Sequence, residues 1–473
     1  MTVHELTRLS AREAVRLLHA GEVSPLELID AALARMDAVD PIVNAVPTRC
    51  PDRAREHARR IMDRTAPSGR LGGLPVLVKD LVEVAGVRTT HGSPIFADWV
   101  PEHSDLQVER MEAAGGIVLG KTNTPEFGAG ANTFNEVFGV TRNPWDPRLT
   151  CGGSSGGAAV ALATGMAWLA DGSDLGGSLR TPAAFCGIVG LRPSPGRVPH
   201  GPRAAPFGTL AVNGPMARDV RDLALFLDVL AGFDPRDPLS YDDPSTPYVD
   251  AVASTTPPRR VAFTPDLGGI TPVNPEIAAA CHRAATRFAE LGAEVEEATP
   301  DLSSAVEVFT TLRAASYAAN MEPLLQTHRD LLKPEVIWNI EHGLRLTAGE
   351  IGRAERERGM LQHRMAEFLT RYDILCCPTA IVPPFPVEQR YLAELNGHRF
   401  PSYIDWVAIA YAITLTACPA LSLPCGFTAS GLPVGLQIVG PPRGEAKLLA
   451  AAAILEDALE LTANMPIDPR PTA

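Results

Sequence analysis

Two serine sites flanked by glycine, GGSSGG at Gly152–Gly157 and DLGGSLR at Asp174–Arg180, lie on either side of the small-residue run Ala158–Ala163. Glycines here let the backbone take conformations other residues resist and let a ligand come close. The run between them is helix-compatible, so a short helix can pack tightly under both loops. Serines set among glycines suit covalent acyl transfer, but a serine hydroxyl is a poor nucleophile until a base takes its proton. A base of the right kind is delivered by Leu74-Pro-Val-Leu-Val-Lys79, a short apolar run with a lysine at its end. Burial disfavours the ammonium form, so a lysine closing a buried strand can act as a neutral amine. The backbone amides of Leu175, Gly176, Gly177 and Ser178 could converge on one point as an oxyanion hole. Spacing alone does not bring Lys79 to either serine, and glycine loops that merely build turns are the competing account.

Two other motif matches lack their required context. Gly115–Thr122 fits the phosphate-binding formula GxxxxGK[ST]. That loop needs a strand before it and a helix after it, whereas here a helical pattern precedes and Ile117–Leu119 is itself the strand. Gly153–Gly157 fits the nucleophile elbow GxSxG, but a polar loop with two prolines, Asn143–Thr150, stands where the elbow needs a strand. The eleven histidines and eight cysteines contain no HExxH and no CxxC, so no metal and no disulfide framework is expected.

The elements that must position these residues can be read from the rest of the chain. Its 473 residues carry a net charge of −13, which disfavours nucleic acid or an anionic membrane as the main partner. The N-terminal stretch is charged and amphipathic, and the uncharged segment Trp406–Pro442 is interrupted by prolines and glycines. That segment reads as buried sheet and loops, so no membrane span is expected and the cytoplasm is the expected location. Ser10–Glu13 and Ser24–Glu27 are capping-box patterns that predict a helical pair at the start. Asp105–Ala114, Arg218–Leu230 and Pro275–Leu291 read as helices; Arg260–Phe263 and Asp373–Cys377 read as strands. Residues 1–65 are expected to form a helical segment packed on a main domain of 66–473, with a mainly helical region at about 302–371. Gly232–Pro258 is the longest candidate connector, either a domain boundary or an excursion over the surface. Alternating strands and helices predict an α/β sheet covered on both faces.

Taken together, LPVLVKDLVEVAGVRTTHGS, GKTNTPEFG, NPWDPRLTCGGSSGG, GSDLGGSLRTPAAFCGIVGLRP and CPALSLPCGFTASGLPVGLQIVG resemble the amidase signature hydrolases, in order and spacing. The resemblance implies a single large α/β domain with a central mixed sheet. It implies that Lys79 is the general base, Ser154 a proton-relaying serine after a cis peptide bond, and Ser178 the nucleophile. It further implies that Leu175, Gly176 and Gly177 belong to the oxyanion-hole backbone and that the Gly128 main chain lies against substrate. The implied activity is hydrolysis of a small, aryl or alkyl carboxamide through an acyl-enzyme, with no cofactor. The alternative is the glutamine-hydrolysing component of a tRNA-dependent amidotransferase, which would work with partner subunits; homodimerisation stays open. Asp174 and Arg180 read as loop-positioning groups, and Ser155 as a hydrogen-bonding or helix-capping residue. Cys151 and Leu175 stand where a proline and a threonine are common in the family. Phe309, Tyr317, Trp338, Tyr403 and Trp406 are candidate pocket walls.

Overall fold

Eleven strands form one mixed sheet. The computed structural model describes residues 1–202, 205–461 and 465–470. In chain order the strands are Thr48–Arg49 (β1), Pro75–Lys79 (β2), Ile117–Thr122 (β3), Leu169–Asp174 (β4), Val189–Arg192 (β5) and Val212–Ala217 (β6). They continue with Arg260–Phe263 (β7), Glu294–Glu297 (β8), Ile374–Pro378 (β9), Ala420–Phe427 (β10) and Pro433–Val439 (β11). Their order across the sheet is β1-β3-β2-β4-β6-β5-β10-β11-β9-β7-β8. β2 is parallel to both neighbours, and β7 to both of its own. All other adjacent pairs are antiparallel. The central strands are buried along nearly their whole length. Continuous apolar runs of this kind belong to a sheet with helices on both faces.

The N-terminal segment holds four helices rather than a pair: Val3–Arg8, Ala11–Ala20, Pro25–Val43 and Pro51–Met62. Ser24 and Glu27 complete their capping box, with Pro25 in the first turn. Ser10 caps through the Glu13 amide, but the Glu13 side chain pairs with Arg16 instead of returning to the cap. The segment is tied to the sheet by Trp168 Nε1 donating to the Leu6 carbonyl and Arg218 Nη1 donating to the Thr7 carbonyl.

The mainly helical region is three helices, Ala305–His328, Pro334–Arg345 and Ala348–Phe368, the last started by the Thr347–Glu350 capping box. The connector Gly232–Pro258 is a surface excursion carrying a one-turn helix, Tyr248–Ala251, because the same sheet continues on either side of it. Within Trp406–Pro442 the expectation of sheet and loops is corrected at Ala408–Leu415, which is a helix buried on every side. A helix apolar all round has no amphipathic stripe to betray it. No helix among the described residues is long and apolar enough to cross a membrane. Seven of the eight cysteines are buried and all are free thiols, with Cys50 partly buried.

Candidate active site

Lys79 ends β2 with its side chain wholly buried. Its Nζ lies 2.7 Å from Ser154 Oγ, 2.8 Å from Ser155 Oγ and 3.0 Å from Ser173 Oγ. Burial pushes the amine down to about 7, against the opposing pull of the Asp171 and Asp174 charges. At neutral pH a large share of Lys79 is therefore a neutral amine with a lone pair.

The three hydroxyls around that amine are not equivalent. Ser155 Oγ is 3.3 Å from the Ser173 carbonyl oxygen and receives the Ser173 amide at 3.3 Å. Its proton is thus directed to a carbonyl, and its oxygen accepts from Lys79. Ser154 has Lys79 as its hydrogen-bond partner among the described residues, so its proton can pass to the amine lone pair. Ser155 occupies the cap position of the helix Gly156–Ala163 but makes no side-chain cap bond. Of the two roles expected for it, the structure shows the hydrogen-bonding one: it holds Lys79. The Gly153–Ser154 peptide is cis.

Ser178 sits on the loop between β4 and the helix Arg180–Cys186. Asp174, buried at the end of β4, shapes this loop by accepting from the amides of Gly177 at 2.9 Å and Leu179 at 3.1 Å. Arg180 clamps the same carboxylate from two nitrogens, at 3.0 and 2.9 Å, and its other nitrogen reaches the Ala410 carbonyl. Burial would raise the Asp174 pKa, but Arg180 and Arg192 outweigh it and hold the carboxyl well below the usual range. Gly177 has φ +112°, and a Cβ there would lie 2.7 Å from Ala410 Cβ, so a side chain is excluded twice over. The Gly177 amide is engaged by Asp174. The amides of Leu175, Gly176 and Ser178 find no protein acceptor among the described residues and remain available to a ligand. Gly177 thus serves this loop by its conformation rather than as a donor.

Asp174→Asn is expected to destabilise the folded protein by about 3–5 kcal/mol, because it leaves two buried guanidinium groups without their counter-charge. Equilibrium unfolding of the variant against the parent measures this directly.

Ser154, Ser173, Leu175, Gly176, Ser178 and Gly128 all line one cavity of about 760 Å³. A Cβ on Gly128 would lie 3.3 Å from Ser154 Oγ, which places that main chain against the Ser154 hydroxyl. Of the five aromatic candidates only Tyr317 lines the cavity. Phe309 stacks on Tyr411 at 4.0 Å in the core and Trp406 is buried against Phe385. Trp338 packs edge-on to Tyr403, whose hydroxyl receives Arg313. The other aromatic walls are Phe127 and Phe207, beside Leu81, Leu312, Met321 and Val407. Phe127 lies within GKTNTPEFG, one residue before Gly128, and that adjacency was the available signal. Phe207 is 76% exposed and had none.

The phosphate-loop match carries no ligand site, and the serines of the GxSxG match belong to the Lys79 cluster rather than to an elbow after a strand. Lys121 is buried, donates to the Val82 carbonyl and Thr89 Oγ1, and lies 3.5 Å from Asp80. Cys151 is buried and its thiol is pushed up to about 12 by burial, so it packs rather than reacts.

The Amidase family profile matches residues 27–449. An acylamidase of Rhodococcus erythropolis is 37% identical over 462 residues, covering 96% of this chain and 96% of that protein. A glutamyl-tRNA(Gln) amidotransferase subunit from Moorella thermoacetica is 36% identical, covering 98% of this chain and 99% of its own length. Among solved structures, a bacterial aryl acylamidase of the amidase signature family aligns with a TM-score of 0.89 at 31% identity, over 97% of this chain and 99% of that one. The chain belongs to the amidase signature family. It is a hydrolase acting on amides.

Proposed function

We propose that this hydrolase is a stand-alone acylamidase that cleaves a small, aryl or alkyl carboxamide through an acyl-enzyme on Ser178. The observation that carries this reading is the fully buried Lys79 amine, 2.7 Å from the Oγ of Ser154, a residue that lines the same cavity as Ser178. In the first half-reaction Ser178 Oγ attacks the carbonyl carbon, its proton passes to Ser154 Oγ, and the Ser154 proton passes to Lys79 Nζ. The carbonyl oxygen gains the negative charge and is met by the free amides of Leu175, Gly176 and Ser178. Collapse of this intermediate breaks the C–N bond, and the proton on Lys79 returns through Ser154 to the leaving nitrogen. Water then attacks the ester by the same relay, releasing the carboxylic acid and restoring Ser178. Leu175, Phe127, Leu81 and Leu312 make an apolar surround that favours an aryl or alkyl substituent. The likeness to an acylamidase along almost the whole chain supports the same reading.

A serine-directed phosphonate is expected to add one adduct at Ser178, located by peptide mass mapping; labelling at another serine would sink the assignment. A panel of anilides, alkyl amides and amino-acid amides then ranks the acyl groups. The pH dependence follows from Lys79: kcat/KM is expected to fall about tenfold per unit below pH about 7 and to level off above it. Protonation removes the lone pair, so the active form lies on the alkaline side. A profile flat from pH 5 to pH 8 would contradict Lys79 as the base.

The second reading is the glutamine-hydrolysing component of a tRNA-dependent amidotransferase, favoured by the 36% identity to one such amidotransferase chain over nearly the full length. It predicts glutaminase activity that emerges only when partner subunits are added. The first reading predicts turnover of simple amides by the purified chain alone.

A further inference from the structure

We propose that Asp171 is a positioning residue of this site: its carboxylate fixes the Lys79 backbone and supplies the negative charge that sets how readily the Lys79 amine holds a proton. This rests on the proposed role of Lys79 as base. The pairing of β2 with β4 is recorded at Val76–Leu169 and Leu77–Ala170, two residues short of Lys79. Beyond that point the Asp171 side chain takes over, its Oδ1 accepting the Lys79 amide at 2.6 Å. Oδ2 meets the Gln107 side-chain amide from the helix Leu106–Ala113. The carboxyl is wholly buried, as is the Gln107 amide.

Both contacts come from neutral donors, which is an unusual setting for a buried carboxyl. The charged groups around it are Lys79 on β2, Lys121 on β3 (itself beside Asp80), Asp105 before the Gln107 helix, and Asp174 on the same strand. Burial raises the Asp171 carboxyl to about 7, while the Lys79 amide, Lys121 and Lys79 favour its charged form. Among the groups that favour protonated Lys79, Asp171 is the largest. An attracting pair of this kind exchanges its protons in two macroscopic steps that belong to both groups, and the ionised Asp171 is the form that favours a protonated Lys79. Gln107 is suited to either state of its partner. Its Oε1 is buried without a hydrogen-bond partner among the described residues, and turning the amide over would offer that oxygen to a protonated Asp171.

The test is the kcat/KM–pH profile of Asp171→Asn beside that of the parent. Asparagine keeps an oxygen for the Lys79 amide, and its NH2 can donate to Gln107 Oε1 after that amide turns. Losing the negative charge makes protonated Lys79 less favourable, so the neutral base persists to lower pH. The midpoint of the acid limb is therefore expected to move down by about one pH unit. If the variant does not fold, Gln107→Leu reads the same effect: without its amide donor Asp171 is ionised less, and the midpoint shifts the same way by a smaller amount. An unchanged midpoint with a lower plateau is what a merely structural role gives, and it would overturn the proposal. If the parent itself shows no acid limb and Lys79→Ala stays active, the base assignment fails first and this inference falls with it.

Discussion

Ser178→Ala is expected to lower kcat/KM for amide hydrolysis by about ten-thousand-fold or more, with the unfolding midpoint almost unchanged. The scale follows from removing the nucleophile of a serine relay, where the remaining groups give only residual rate over water. The near-neutral stability follows from how the loop is held. Asp174 grips the Gly177 and Leu179 amides, and the contribution of Ser178 to the framework is its carbonyl, which accepts from the Ser155 amide at 3.1 Å. All of these survive the loss of the hydroxyl. Steady-state kinetics and circular dichroism on the same preparation check both halves. Near-normal turnover in a folded variant would refute the mechanism.

Lys79→Ala should be almost as severe, with a loss of roughly a hundred- to ten-thousand-fold in kcat/KM, the usual worth of a general base. Its residual activity should also differ in kind. The proposed acid limb at pH about 7 needs the Lys79 amine, which is coupled to Asp171, so it should vanish with the side chain. Ser155 and Ser173 remain joined to one another without Lys79, so the pocket floor should persist. The hydroxyls of Ser154 and Ser173 lose their partner, and Ser155 Oγ keeps its bonds to the Ser173 backbone. A variant that retained the parental limb would move the base elsewhere in the cavity.

Much of this site could be read from residue order because its parts are local. Lys79 sits at the end of a short apolar run, and Ser178 sits in a loop whose glycines open backbone conformations that other residues resist. Short capping patterns at Ser24, Asn274 and Thr347 each start a helix in the structure. What residue order hides depends on long-range placement. Ser173 and Asp171 reach Lys79 only because β4 lies beside β2, a pairing between segments about 90 residues apart in sequence. The Gly177 amide has the position of a ligand donor in the sequence, but in the fold Asp174 holds it. The pocket walls are hidden for the same reason. Aromatic side chains at helical spacing face the core as readily as a cavity, and Phe309 and Trp406 face the core.

The strand order has a consequence for how the chain is made. β1 to β6 all lie on one side of the hairpin β10–β11, and β7 to β9 on the other. As the polypeptide leaves the ribosome, the segments of these two partial sheets are made before the hairpin that joins them. Until residues 420–439 emerge, β5 and β9 each present an open edge lined with unpaired backbone groups. The nascent protein therefore passes through a stage with two sticky edges in one molecule, and arrest of synthesis shortly before Ala420 should yield an aggregation-prone product. The last strands to be made act as a keystone, and Ser178 and Lys79 both belong to the half that waits for it.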